Sequence, residues 1–246
     1  MIAIRERHDH GGGSSGRAAL GEAEELAVSC HGKGFITIAL IGEMIAAMIE
    51  REDETAAIPS GLRHQRFVAV PLTADTAALD YASYMASPDV IRIHSDDRWP
   101  VEGFTLADDL KLVAKHQADH ENRRAFTFVL LAPSLREALG CLYVNPLRMY
   151  LQRAGADRRL LDAVPPTSAL VTFWLRQDQQ DTGLADVVVE AVNDWLLNEW
   201  PLSTHMFRVL PDEQSSCTAL DRLNLRKTHL SLPGDTRPYI WYQPPA

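Results

Sequence analysis

The sequence predicts a mixed α/β (α+β) domain with a central, twisted sheet of about seven strands flanked by about four helices. Three observations predict it. From Phe67 onward short β-branched and aromatic runs alternate with segments of helical period. Two neighbouring apolar runs, 125–133 and 137–147, are separated by only a few turn-forming residues, as in an antiparallel hairpin. A third run of the same type at 168–176 joins them in suggesting a central sheet, and it is followed by a helical pattern and a further strand.

Composition sets the bounds. The 246 residues are 46% hydrophobic and 23% charged, ordinary for a globular chain that can bury a core. A net charge of −9 lacks the basic excess that attraction to phosphate backbones requires, so nucleic acid is not an expected partner. Cys30, Cys141 and Cys217 are scattered and include no C-x-x-C pair, which argues against a disulfide framework or a cysteine zinc site and fits a cytoplasmic location. The apolar stretch 35–49 is shorter than the ~20 residues of a membrane-spanning helix and contains Glu43, so no membrane association is expected.

Residues 1–65 read as a flexible or helical extension, because RERHDHGGGSSGR cannot build a core and the glycines at 32, 34 and 42 weaken the helical pattern that follows. The domain proper is expected over 66–246. FVAVPLT (67–73) reads as a strand ended by Pro71, with Thr73 as the cap of a helix over 73–87. Ser95–Thr105 reads as a loop, and Thr105-x-x-Asp108 as a capping box opening a second helix, LADDLKLVAKHQADHENRR. Three strands, 125–133, 137–147 and 168–176, then precede the helix DVVVEAVNDWLLNEW, the strand HMFRVLP, the helix EQSSCTALDRLN and the closing strands LRKTHLSLP and RPYIWYQ.

The chemistry concentrates where the strand at 168–176 passes through QDQQDTGLAD into a helix. The free N–H groups of a first helical turn and the positive end of the helix dipole form an anion site, and a glycine there lets a phosphate approach the backbone. Residues 180–185 read Q-x-x-G-x-A.

That hexapeptide, in its strand–loop–helix setting and with the eleven-element order β-α-α-β-β-β-α-β-α-β-β, resembles the GNAT N-acetyltransferase family, whose pyrophosphate signature is R/Q-x-x-G-x-G/A. The segment 211–216 leading into LDRLNLRK is similar to the family's helix after the fifth strand. The resemblance implies acetyl-CoA as co-substrate, bound by Gln180, Asp181, Thr182, Gly183, Leu184 and Ala185 at the pyrophosphate, and by Gln214 and Ser216 along the coenzyme arm. It also implies that the pantetheine lies beside Phe173, Trp174 and Leu175, with a backbone N–H near Phe173 or Trp174 facing the thioester oxygen. Transfer to a primary amine, small molecule or peptide, follows by direct attack in a ternary complex, and a homodimer is an assembly the resemblance admits. The position of the family's tyrosine acid is Leu220, and Asp178 and Asp181 add negative charge to the loop, so a catalytically silent acyl-CoA-binding or protein-interaction module is the alternative.

The resemblance places the acceptor beside the loop around His94, Asp96, Asp97 and Glu102, whose acids with Trp99 and Phe104 would suit a cationic amine; the catalytic residues are not identified, with Asp97 and Glu102 as candidates. His116 and His120 share a helical face, yet HQADH lacks the glutamate of the metalloprotease motif and a third ligand, so no metal is expected.

Overall fold

The computed structural model describes residues 57–99 and 101–245, so the greater part of the expected extension at 1–65 lies outside the described residues. Eight strands form one sheet in the order β1-β2-β3-β4-β5-β6-β8-β7. They are β1 (Leu62–Arg63), β2 (Val68–Pro71), β3 (Phe126–Leu131), β4 (Ala138–Pro146), β5 (Ser168–Leu175), β6 (Thr204–Val209), β7 (Arg226–Thr228) and β8 (Ile240–Gln243). β1 lies upstream of the expected boundary at residue 66 and pairs with β2.

Neighbouring strands run antiparallel except β5 and β6, which run parallel. Their ladder covers only Ser168↔Thr204 to Val171↔Phe207. Beyond Val171, β5 continues on β4 as far as Leu175, whereas β6 continues on β8 as far as Val209. The two central strands therefore part, and Thr172–Leu175 have no β6 partner.

Among the described residues seven helices cover the faces rather than the expected four. They are α1 (Ala77–Met85), α2 (Pro88–Ser95), α3 (Leu106–Glu121), α4 (Leu147–Arg153), α5 (Arg158–Ala163), α6 (Leu184–Asn198) and α7 (Gln214–Arg222). The expected helix over 73–87 begins instead after Thr76 and breaks at Ser87, where Pro88 cannot continue it but suits the first turn of α2. The region 147–167 had no expected element because α4 and α5 are too short for a periodic pattern to show. The strand expected over LRKTHLSLP shrinks to β7. The capping box at Thr105 and Asp108 is present with both of its reciprocal bonds.

α6 buries Leu184, Ala185, Val188, Val189, Val192, Trp195 and Leu196, a stripe at helical spacing, against one face of the sheet. α1, α2 and α3 pack on the other face over Val129, Cys141, Tyr143 and Trp174, and α4 packs there over Leu170, Met206 and Trp241. β5 is buried on both faces, which explains its unbroken apolar sequence. Gly140 lets β4 approach β5 closely, since a Cβ there would sit 2.0 Å from the Trp174 carbonyl oxygen. No helix of the described residues is long and apolar enough to cross a membrane.

Candidate active site

The parting of β5 from β6 opens beside the N-terminus of α6, and the loop between them builds a cradle of backbone amides. Gly183 caps α6 with φ +70°, a left-handed conformation that glycine adopts without steric cost. The Arg66 guanidinium donates to the carbonyls of Thr182 and Gly183, both at 3.2 Å. In a trans peptide the N–H points opposite to the C=O, so this clamp turns the Gly183 amide away from Arg66. Thr182 Oγ1 accepts from Leu184 N–H at 3.3 Å, and Thr182 N–H donates to the Gln179 carbonyl at 3.4 Å. Of the four amides expected to bind pyrophosphate, Gly183 and Ala185 are left without an acceptor among the described residues.

Gln180 does not present its side-chain nitrogen to the cradle. Its Nε2 donates to the Leu175 carbonyl at 2.7 Å, fastening the loop to the end of β5. Its own carbonyl accepts from Ser215 Oγ at 2.6 Å, which ties the loop to the first turn of α7. Ser215 was not singled out from sequence; Gln214 beside it is exposed, and Ser216 is buried on the inward side of α7.

The negative charge of the loop is partly answered. Arg176 pairs with both Asp178 and Glu137, and Arg222 holds Asp186 through contacts of 2.6 and 2.7 Å. Asp181 is exposed and unpaired among the described residues. Arg66 and Arg222 are the cations beside the cradle that the loop sequence lacks.

Phe173, Trp174 and Leu175 lie in the part of β5 that has β4 but not β6 as a partner, with their side chains buried on alternate faces, so only backbone is offered to a ligand there. Trp174 Nε1 donates to the Tyr143 hydroxyl at 3.3 Å. The His94 imidazole stacks on Tyr143 with centroids 6.2 Å apart, and its Nδ1 lies 2.7 Å from Glu213 Oε1. Glu213 Oε2 in turn accepts from Leu210 N–H at 2.6 Å, at the end of β6. The pair is 11% exposed on each side and spans from the β4–β5 side of the opening to the β6 side.

Asp97 and Glu102, the catalytic candidates from sequence, are exposed and make no side-chain hydrogen bond or ion pair among the described residues. Asp97 sits in a left-handed turn after α2, and Glu102 borders a groove of about 310 Å³ with Trp99 and Phe104. Leu220 is fully buried in the core. His116 is engaged with Thr127 Oγ1 at 3.0 Å, burial pushing its imidazole down to about 4, and His120 packs edge-on against Phe126 and Phe128.

Neither a family model nor a curated protein sequence matches the chain. Solved structures do. The chain is similar to ribosomal-protein-S5-alanine acetyltransferase from Vibrio fischeri at 15% identity and a TM-score of 0.56, with 75% of this chain and 96% of that one covered. It is similar to the microcin C7 self-immunity acetyltransferase MccE, solved with acetyl-CoA and AMP, at 14% identity and a TM-score of 0.56, covering 76% and 96%. A GNAT-family acetyltransferase from Bacillus anthracis matches at 12% identity and a TM-score of 0.51, covering 74% and 95%. With its parted central strands, its amide cradle at the start of α6 and these likenesses, the chain has the fold of the GNAT acetyltransferases.

Proposed function

We propose that the protein is an acyl-CoA-dependent N-acetyltransferase that moves an acetyl group from acetyl-CoA to a primary amine by direct attack in a ternary complex. The observation that carries this reading is the parting of β5 from β6 immediately beside the two unsatisfied amides of Gly183 and Ala185. A diphosphate suits a helix N-terminus whose amides point outward, and the pantetheine amides suit the backbone of Thr172–Leu175 as a peptide suits a sheet edge.

The residues divide the work. Arg66 and Gln180 orient the cradle, Ser215 couples it to α7, and Ser216 on α7 keeps the assignment to the coenzyme arm that the resemblance implies. The β5 backbone offers the oxyanion an N–H donor. His94, held by Glu213, is placed to take the ammonium proton before attack; with the nitrogen lone pair freed, the amide bond forms, the C–S bond breaks to release the thiolate, and the second proton of the acylated nitrogen leaves to water. Leu220, at the position where the resemblance puts a tyrosine acid, favours a second reading, an acyl-CoA-binding module without turnover, because leucine has no hydroxyl to protonate that thiolate.

Titration calorimetry with acetyl-CoA and free CoA tests the reading. Micromolar binding of both, with acetyl transfer to a member of a broad amine panel, supports it. Binding without transfer selects the second reading, and no binding of either ligand overturns both.

A further inference from the structure

Arg208 lies on β6 one residue past the last rung that joins β6 to β5, on the face opposite α6. Its guanidinium carbon is 4.4 Å from the Tyr150 ring centroid, 4.0 Å from that of Tyr239 and 5.8 Å from that of Trp241. The residue is only 9% exposed, its Nε is buried without a hydrogen-bond partner, and no carboxylate reaches ion-pair distance among the described residues. Asp235, the acid beside Tyr150, accepts from the tyrosine hydroxyl. Arg237 nearby shows the ordinary arrangement, pairing with both Asp96 and Asp212.

A guanidinium taken out of water without a counter-charge is costly, and stacking between aromatic rings offsets only part of that cost. Such a fork, close over two tyrosine rings, matches a planar or tetrahedral oxyanion. The same face is open at the middle of the sheet, since Thr172 on β5 is partly exposed there while Leu170 and Trp174 on either side of it are buried. The His94–Glu213 pair lies over the same face.

We propose that Arg208 is the anion-recognition group of the acceptor subsite, so that the amine accepted also carries a carboxylate or phosphate. This rests on the transferase reading for the identity of the ligand as an acceptor, but not for the anion site itself. The amine end would face His94 and the anionic end Arg208, with Thr172 between them. Burial of the ligand's charge against the guanidinium would complete a pair that the fold leaves open.

The test uses the full chain with matched amines: amino acids against their carboxamides, and phosphoethanolamine against ethanolamine, with inorganic phosphate as the bare anion. Intrinsic tryptophan fluorescence, to which Trp241 beside Arg208 contributes, reads binding, and acetyl-CoA consumption reads turnover. A charge-assisted pair predicts a dissociation constant or KM roughly tenfold or more lower for the anionic member of each pair. Arg208→Gln should erase that preference, Arg208→Lys should keep part of it, and acetyl-CoA affinity should be unchanged in both. A preference confined to the carboxylate or to the phosphate pair identifies which oxyanion is read. Equal binding of charged and neutral members, no saturable response to any anion, or a preference that survives Arg208→Gln overturns the proposal. An anion preference in a chain that does not bind acetyl-CoA would sink the transferase reading while leaving the anion site standing.

Discussion

His94 on α2 and Glu213 at the start of α7 meet at 2.7 Å across 119 residues of sequence, bridging the two sides of the opening between the central strands. A carboxylate that holds one imidazole nitrogen fixes the ring's orientation and leaves the other nitrogen to accept a proton. His94→Gln is expected to lower kcat by about 10² or more, the usual range for losing a positioned base, with acetyl-CoA affinity unchanged. Glu213→Gln should cost less, since a neutral amide still bonds the ring. Steady-state kinetics on the best amine of the panel decides this, and equal kcat for wild type and His94→Gln would remove His94 from the mechanism.

The cradle depends on Arg66 as well as on its own loop. Arg66→Ala releases the Thr182 and Gly183 carbonyls, so calorimetry should show acetyl-CoA binding weakened about tenfold, a loss typical of a charge-assisted contact, with little change in thermal midpoint because the side chain is exposed. An unaltered dissociation constant would mean that the loop holds its geometry unaided.

Gly183→Glu places a carboxylate at the mouth of the cradle. A Cβ there meets nothing closer than Asp186 Oδ2 at 3.9 Å, so the cost to folding is the left-handed backbone alone, about 1 kcal/mol. Coenzyme binding should be lost while circular dichroism stays native. Retained affinity would place the diphosphate elsewhere.

The acidic core makes stability depend on pH. Burial, and then the charge of Asp109, pushes the Asp80 carboxyl up to about 7, and burial pushes Asp109 up to about 6, against 3.8 when unfolded. Between these values the folded state binds more protons than the unfolded state, so stability should fall as pH rises from about 4 to about 7 and then level off. Asp80→Asn should raise stability at pH 8 by an amount on the order of 2 kcal/mol and give no gain at pH 4. Urea midpoints across that range check it, and a flat profile for wild type would contradict it.

Gly140→Ala should be among the most damaging single substitutions. The new Cβ meets backbone, the Trp174 carbonyl oxygen at 2.0 Å, so β4 and β5 must move apart at a cost of about 3 kcal/mol or more. A thermal midpoint within a degree or two of wild type would show that the sheet yields there.

Much of this architecture was written in local patterns. The apolar run of β5, the stripe of α6 and the capping box at Thr105 each depend on residues a few positions apart, and Gly183 before a helical pattern marked the cradle by the same short-range logic. Where local signals failed, the elements were short or interrupted: α4 and α5 span seven and six residues, and Pro88 divides one apolar pattern into two helices.

The sequence by itself determined the class of fold, the order of its main elements and the loop that forms the amide cradle, because hydrophobic period, capping residues and glycine act over one or two turns of chain. Only the tertiary structure decided which side chains serve that loop and the face opposite it. Arg66 reaches Gly183 across 117 residues, His94 reaches Glu213 across 119, and Arg208 is enclosed by tyrosines from α4 and the approach to β8. Those meetings follow from how the sheet orders its strands and where β5 leaves β6, a consequence of packing the whole chain that no short window of sequence contains.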